Sequence, residues 1–489
     1  MEKKPIILLN IDSLMAHPLE LAVQTGRAPA LQFLMENGLY DPAMVSSFPT
    51  MSVTIDSSLL TGTYADQHHI PGLSWFDMEK NQFVNYGTGF RETFRLGMRR
   101  SIHQMLYALN NEHLSHHVST IYEELAKEGI SSGSINSFVY RGNVPHRLKT
   151  PRFLSAFTYF KNGEWSTQAT SLFSLGTFSK IRPTGFTPQI AAGNLKYTAR
   201  ELRYLIRKNK LPAFTFCIFQ DMDARLHFKG PMDIKGIVKV DRQIQKILNM
   251  YSDWNEAIKQ SIWIVIGDNG HSATGIKYKD VVIDLRKVLT KYRIAKIQRS
   301  IQKKDQLAFC VNQRMAYIYK LDDKVQTHAI IKQLKHDHRI DVIAWKEKGS
   351  VYVESGMNKG RLTFHPNGED QDVYGQFWSL EGRLDLLDIS WQGNKLQYGD
   401  FPDALARLYG ALFSQQANCI VVNAKPGCEF KAQSTPFHLS GAAHGSLHKQ
   451  ESLVPLIIAG TKMKPRFSRI VDMKSFIIAL VEQYKGKGK

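Results

Sequence analysis

Three short apolar runs in this chain each stop at or just before an aspartate. Ile6-Ile7-Leu8-Leu9-Asn10-Ile11 ends at Asp12, Phe214-Thr215-Phe216-Cys217-Ile218-Phe219 is followed by Asp223, and Ile262-Trp263-Ile264-Val265-Ile266-Gly267 ends at Asp268. Runs this short and this rich in branched residues read as strands buried on both faces. In an open parallel sheet such strands present their C-terminal ends to a ligand crevice. Carboxylates at three separate strand ends add nothing to a core. They are well placed to hold metal ions.

The segments between these runs supply the helices of a doubly wound sheet. A helix is expected from about Ala28 to Asn37, with Pro29 in its first turn and Gly38 at its end. Further helices are expected over Ser52–Leu60, Ser119–Lys127, Thr198–Lys208 and Lys235–Trp254, and further strands over Ser131–Phe138 and Leu453–Ile458. The reading is an α/β fold with a mostly parallel sheet, divided as follows. Residues 1–139, 197–275 and 438–489 form the core, 140–196 a cap or irregular insertion, and 276–437 a smaller inserted α+β lobe. The lobe has its own strand–helix–strand pattern in Met315–Tyr319, Thr327–Leu334, Val342–Trp345 and Val351–Val353. The core resumes near Cys419 or Ser440.

At 489 residues, 43% hydrophobic and 22% charged, the composition is that of a soluble globular protein with a large core. No apolar stretch approaches the ~18–20 residues needed to span a bilayer. Met1-Glu2-Lys3-Lys4-Pro5 lacks the apolar core of a signal peptide, so the expected location is cytoplasmic. Cys217, Cys310, Cys419 and Cys428 have no C-x-x-C spacing and read as free thiols. The net charge is +19, with ten Lys or Arg against two Asp between Lys277 and Lys304. Such a surface draws in anions, whether phosphates, nucleic acid or acidic lipid headgroups. No nucleic-acid motif accompanies the charge, and a solvated basic lobe explains it equally well.

Around the aspartates lie residues suited to metal and phosphate chemistry. Asp223 and His227 are four apart on a strand-to-helix connection and can turn toward one point, as zinc-type sites require. His444 stands beside Gly445, whose backbone freedom would let the imidazole enter a crowded site; a capping histidine in a loop is the alternative. Ser52 opens an expected helix, where free N–H groups favour an alkoxide and an incoming phosphate oxygen. Its hydroxyl needs a base or a metal to act as a nucleophile, and a plain N-cap role is the alternative.

Six segments in order give the chain a resemblance to the type I phosphodiesterase/nucleotide pyrophosphatase branch of the alkaline phosphatase superfamily. They are Asp12 after the first strand; Phe48-Pro49-Thr50-Met51-Ser52 with a helix ending Thr61-Gly62; His68-His69-Ile70; Asp223 to His227 and on to Gly230-Pro231; Asp268-Asn269-Gly270; and His444-Gly445 followed by Val454-Pro455. The resemblance covers about residues 5–75, 118–139, 197–275 and 438–484, and little of the inserted lobe. It implies an alkaline phosphatase-like core, two divalent ions and a covalent intermediate. Asp223, His227 and His444 would hold the first ion. Asp12, Asp268, Asn269 and the Ser52 oxygen would hold the second. Zinc is the expected metal and manganese the alternative.

Three departures from the family pattern matter. Asn269 stands where the family has His, and an amide oxygen is a weaker zinc donor; His271 is a possible substitute. Ile55 stands where the family has a phosphate-contacting Asn. The expected nucleophile is Ser52 rather than Thr, with Thr50 and Thr54 as rivals. The expected activity is hydrolysis of phosphodiester or nucleotide pyrophosphate bonds through a phosphoryl-serine on Ser52, with a nucleotide or other phosphate-ester small molecule as substrate. Alternatives are a phosphomonoesterase, a phosphonate hydrolase or a phosphoglycerol transferase on the same core. A third class is a non-catalytic protein that binds phosphate compounds or anionic surfaces.

Overall fold

The computed structural model describes residues 4–149, 164–183 and 194–484. Part of the 140–196 segment and the basic tail at 485–489 lie outside them.

The three apolar runs lie side by side at the centre of a seven-stranded sheet. Its order is Gly38–Val45, Leu453–Ala459, Ile262–Gly267, Ile6–Ile11, Phe214–Phe219, Ser132–Ile135 and Leu172–Ser174. The last five strands are mutually parallel, and Leu453–Ala459 is antiparallel to both of its neighbours. The fold is therefore mixed α/β with a mostly parallel central sheet. Side chains alternate between two cores. Ile6 and Leu8 face one side with Phe216, Ile264 and the helices Ser52–Thr61 and Met473–Tyr484. Ile7, Leu9 and Ile11 face the other with Cys217, Val265 and the helices Pro29–Glu36, Leu195–Arg207 and Lys235–Leu248. All six residues of Ile6–Ile11 are buried, so truncating Leu8 to Ala is expected to cost roughly 2–5 kcal/mol.

The pairing register sets the crevice. Ile11 is level with Gly267 on one side and Phe219 on the other, so Asp12, Asp268 and the Asp223 loop emerge at one edge. The helix Ser52–Thr61 is buried on nearly all sides, which its weak amphipathicity required, and it closes at Gly62 in the left-handed conformation.

A second seven-stranded sheet is antiparallel throughout, in the order Leu307–Asn312, Met315–Lys320, Cys419–Ala424, Ile340–Glu347, Ser350–Glu354, Leu362–Gln371 and Phe377–Gly382. Cys419–Ala424 is thus a central strand of this sheet, paired on both edges, and does not return the chain to the parallel one. One face of the sheet joins the core that contains Leu8 and Ile55, and the other packs on the helix Thr327–Leu334. Within 140–196 the described residues contain a hairpin, Val144–Lys149 with Glu164–Ala169, and the edge strand Leu172–Ser174. Pro145, His146 and Arg147 interrupt the alternation that would have announced that hairpin. The expected helix Lys235–Trp254 stops at Leu248, and a separate helix runs over Trp254–Gln260. All four cysteines are buried free thiols. No helix among the described residues is long and apolar enough to cross a membrane.

Candidate active site

Asp223, His227 and His444 converge at the crevice. Their ligand-capable atoms all lie within 4.8 Å of one another. Asp223 Oδ1 is 3.2 Å from His227 Nε2 and 3.3 Å from His444 Nε2. Asp223 and His227 share the short helix Asp223–Lys229 that follows the strand Phe214–Phe219. His444 arrives from the far end of the chain. Gly445 beside it has φ +104°, and a Cβ there would collide with the Asn312 carbonyl. Gly441, three residues before His444, has the same function against the His227 carbonyl. Only glycines let this loop press so closely against the ligand helix at Gly441 and against the second sheet at Gly445.

The backbone fixes both imidazoles. His227 Nδ1 sits 2.7 Å from the Ala442 carbonyl, and His444 Nδ1 sits 2.6 Å from the Thr50 carbonyl. A carbonyl accepts only, so each Nδ1 carries a proton and each Nε2 faces Asp223. This is the outer-shell arrangement of metal-binding histidines. Burial alone would raise the Asp223 carboxyl, but hydrogen bonds from His227, His271 and His444 hold it well below the ordinary range.

Asp12, Asp268, Asn269 and Ser52 form the other half. Asp268 accepts the backbone N–H groups of Ser13 and Asn269, both at 2.8 Å, and the Ser52 side chain lies against its carboxylate. Ser46 donates to the Asp268 carbonyl. Ser13 Oγ donates to Asp12 Oδ1 at 3.2 Å. These partners are all neutral. Asp12 keeps some solvent contact, yet its dense surroundings, and then the Asp268 and Asp223 charges, hold its carboxyl well above the usual range. Burial likewise raises Asp268, against the hydrogen bonds that lower it. The Asn269 side chain is fully buried, and its Oδ1 has no hydrogen-bond partner. Crowded carboxylates and an orphaned amide oxygen are what an oxygen-rich cation site looks like before charge is supplied.

His271 lies between the halves. Its Nε2 is 3.2 Å from Asp223 Oδ1 and 3.0 Å from Ser13 Oγ, and burial pushes its imidazole down to about 3. Among the threonines near Ser52, Thr50 Oγ1 accepts the Gly445 N–H at 2.7 Å, and Thr54 is fully buried. Ser52, at the first position of its helix, is partly exposed. Ile55 is fully buried in the core and turned away from the crevice.

Sequence reasoning missed three contributors. Ser13, at φ +60°, links Asp12, Asp268 and His271. Gln313, at the hairpin turn of the second sheet, reaches His444: its Oε1 accepts the His444 backbone N–H at 3.0 Å, and its Nε2 lies 2.9 Å from His444 Nε2. His438 stacks on His227, with ring centroids 4.0 Å apart, and its Nδ1 meets the buried Glu429 at 3.1 Å. The hairpin could be located from its flanking strands, but its contact with a residue 131 positions away could not.

Solved structures with this architecture include murine ectonucleotide pyrophosphatase/phosphodiesterase 5, at 13% identity and a TM-score of 0.57. The match covers 98% of this chain and 95% of that one. An inactive variant of the murine protein in complex with AMP aligns equally well. The human counterpart aligns at 11% identity and a TM-score of 0.55 over 98% and 95% of the two chains. No curated protein sequence matches the chain. The family description "Type I phosphodiesterase / nucleotide pyrophosphatase" matches residues 6–377, and with the crevice built as above, the chain belongs to that family.

Proposed function

We propose that this protein is a two-metal hydrolase of phosphodiester or nucleotide pyrophosphate bonds, with Ser52 as the nucleophile. The observation that carries the reading is the pair of Nε2 atoms, on His227 and His444, held toward Asp223 by Nδ1–H bonds to backbone carbonyls. Two imidazoles and a carboxylate suit zinc. Asp12, Asp268, Asn269 and the Ser52 oxygen offer oxygen donors only, which suits a harder ion such as manganese as well as zinc. Bound divalent ions supply the positive charge that lowers the barrier to in-line phosphoryl transfer.

The chain's own residues do the rest. The Ser52 side chain lies against the Asp268 carboxylate at the crevice edge. Ser52 Oγ attacks phosphorus and gives its proton to solvent, the bond to the leaving oxygen breaks and that oxygen takes up a proton, and water then cleaves the serine–phosphorus bond to restore the Ser52 hydroxyl. The helix Ser52–Thr61 directs its first N–H groups toward the phosphoryl oxygens, a role that Ile55 cannot share. That the murine neighbour's variant is described with AMP supports a nucleoside monophosphate as one occupant.

Elemental analysis, chelation and a panel of chromogenic phosphate mono- and diesters test the reading together. The expected result is two divalent ions per chain, loss of activity on chelation and a preference for diesters. Absence of bound metal with activity indifferent to chelators removes the proposal, and a preference for monoesters moves the substrate class.

A further inference from the structure

Ten large apolar side chains are exposed among the described residues, and four of them crowd the lip of the crevice. Phe228 is 79% exposed, Ile276 77%, Met232 43% and Phe437 39%. Phe228 follows the ligand candidate His227, and Phe437 precedes His438, whose ring stacks on His227. Met232 lies in the turn where the Asp233 N–H reaches the Gly230 carbonyl. Ile276 is held beside them because the Ser440 N–H donates to the Gly275 carbonyl at 3.0 Å, and Tyr278 meets the Phe437 ring edge-on at 5.4 Å. Four side chains from three separate segments thus share one rim.

Cations are interleaved with them. Lys229 adjoins Phe228, and Lys277 and Lys279 follow Ile276; all three are exposed. Lys431 lies 4.6 Å from the centre of the Phe437 ring and 5.2 Å from that of Tyr278. Of the nearby carboxylates, Asp233 is paired with Arg225 at 2.7 Å and Glu429 is buried against His438, which leaves Asp280 as the exposed acid on this rim. Apolar tips set among lysines match the two layers of an anionic bilayer surface: acyl chains below and phosphate headgroups above. A protein partner would need a continuous packed patch, which separate loop tips do not offer.

We propose that this rim docks the crevice on anionic phospholipid bilayers, with Phe228 and Ile276 inserting between headgroups and Lys229, Lys277, Lys279 and Lys431 meeting phosphates. The inference stands independently of the catalytic reading, since nothing in it uses the metal ligands.

Co-sedimentation of the 489-residue chain with vesicles tests it. Phosphatidylcholine alone is compared with phosphatidylcholine mixed with phosphatidylglycerol, at low and high salt. The protein is expected to partition onto the mixed vesicles and to be released from them by salt. Phe228→Ser with Ile276→Ser should weaken partitioning about tenfold, and Lys277→Glu with Lys279→Glu should abolish the preference for anionic lipid. Trp391→Ser, at an exposed apolar residue outside this rim, should bind as the parent does. Thermal melts confirm that each variant is folded. Failure of the parent to bind anionic vesicles overturns the proposal, as does a Phe228/Ile276 variant that binds undiminished. A concentration-dependent dimer that the same variant dissolves, without vesicle binding, assigns the rim to a second copy of the chain instead.

Discussion

The two halves of the crevice differ in how much of their electrostatics the protein completes by itself. Around Asp223 the imidazoles are oriented in advance and the carboxyl is held low. Backbone carbonyls hold both imidazoles, and those imidazoles hold the carboxylate. Around Asp12 and Asp268 two carboxylates share a site with neutral partners, and the Asn269 oxygen has none. The first half is assembled in advance. The second is an incomplete structure whose cost falls only when a cation enters. Metal binding should therefore stabilise the second half more, and changes there should separate folding from function.

The largest effect should fall on the residue that joins the second half to the reaction. Ser52→Ala removes the hydroxyl beside Asp268 and leaves both aspartates in place. Turnover should drop on the order of 10⁴-fold or more, while metal content changes little. Acid-quenched, labelled enzyme should carry the phosphoryl group on Ser52. Label on Thr50 or Thr54 would assign the nucleophile elsewhere and leave Ser52 as a helix-terminal residue.

Asp12→Asn should separate stability from activity. The substitution removes one of two crowded negative charges, so metal-free protein should gain about 1 kcal/mol while the second ion is lost. The sign of the pH dependence follows from the same observation. A carboxyl whose folded pKa lies above its unfolded value binds protons preferentially in the folded state. Asp12 and Asp268 therefore favour the metal-free fold increasingly as pH falls through their raised pKa, and the gain stops near the unfolded value of 3.8. Melts of chelated parent and Asp12→Asn between neutral and mildly acid pH should converge. A constant gap between them would mean that Asp12 does not titrate in this window.

Asn269→His should sharpen the contrast more gently. An imidazole replaces an orphaned amide oxygen, so zinc affinity at the second site should rise roughly tenfold by calorimetry. Equal affinities would place residue 269 outside the coordination sphere.

Much of this arrangement was legible because it rests on local pattern. Ile6–Ile11 and Ile262–Gly267 are continuous apolar runs, and strands buried on both faces leave few other readings. The helix Ser52–Thr61 announced its end with Gly62. What escaped depends on pairing between distant segments. The left-handed Ser13 carries no sequence mark, because no glycine signals it. His438 lies in a loop whose partner, Glu429, is set by the strand Glu429–Lys431 pairing with Val282–Asp284. Cys419–Ala424 read equally well as a strand of either sheet, and only its pairing with Met315–Lys320 and Ile340–Glu347 decides.

The smallest effect should come from Gln313, where the second sheet touches the first half of the site. Its amide is oriented by the His444 N–H, which donates to Oε1 and so turns the NH₂ toward the imidazoles. Nε2 lies 2.9 Å from His444 Nε2 and 3.4 Å from His227 Nε2, in the space that an ion would use. The amide thus stabilises the metal-free arrangement and competes with the ion. Gln313→Ala should lower the stability of chelated protein by about 1 kcal/mol, the worth of one modest hydrogen bond. It should also raise affinity for the first ion by a similar factor, roughly threefold to tenfold, because removing the competitor and losing the hydrogen bond are two sides of one equilibrium. Calorimetric zinc titration together with melts of the chelated protein measures both. If affinity falls instead, Gln313 supports the ligands in the loaded state, and the first half of the crevice depends on the second sheet for its assembly.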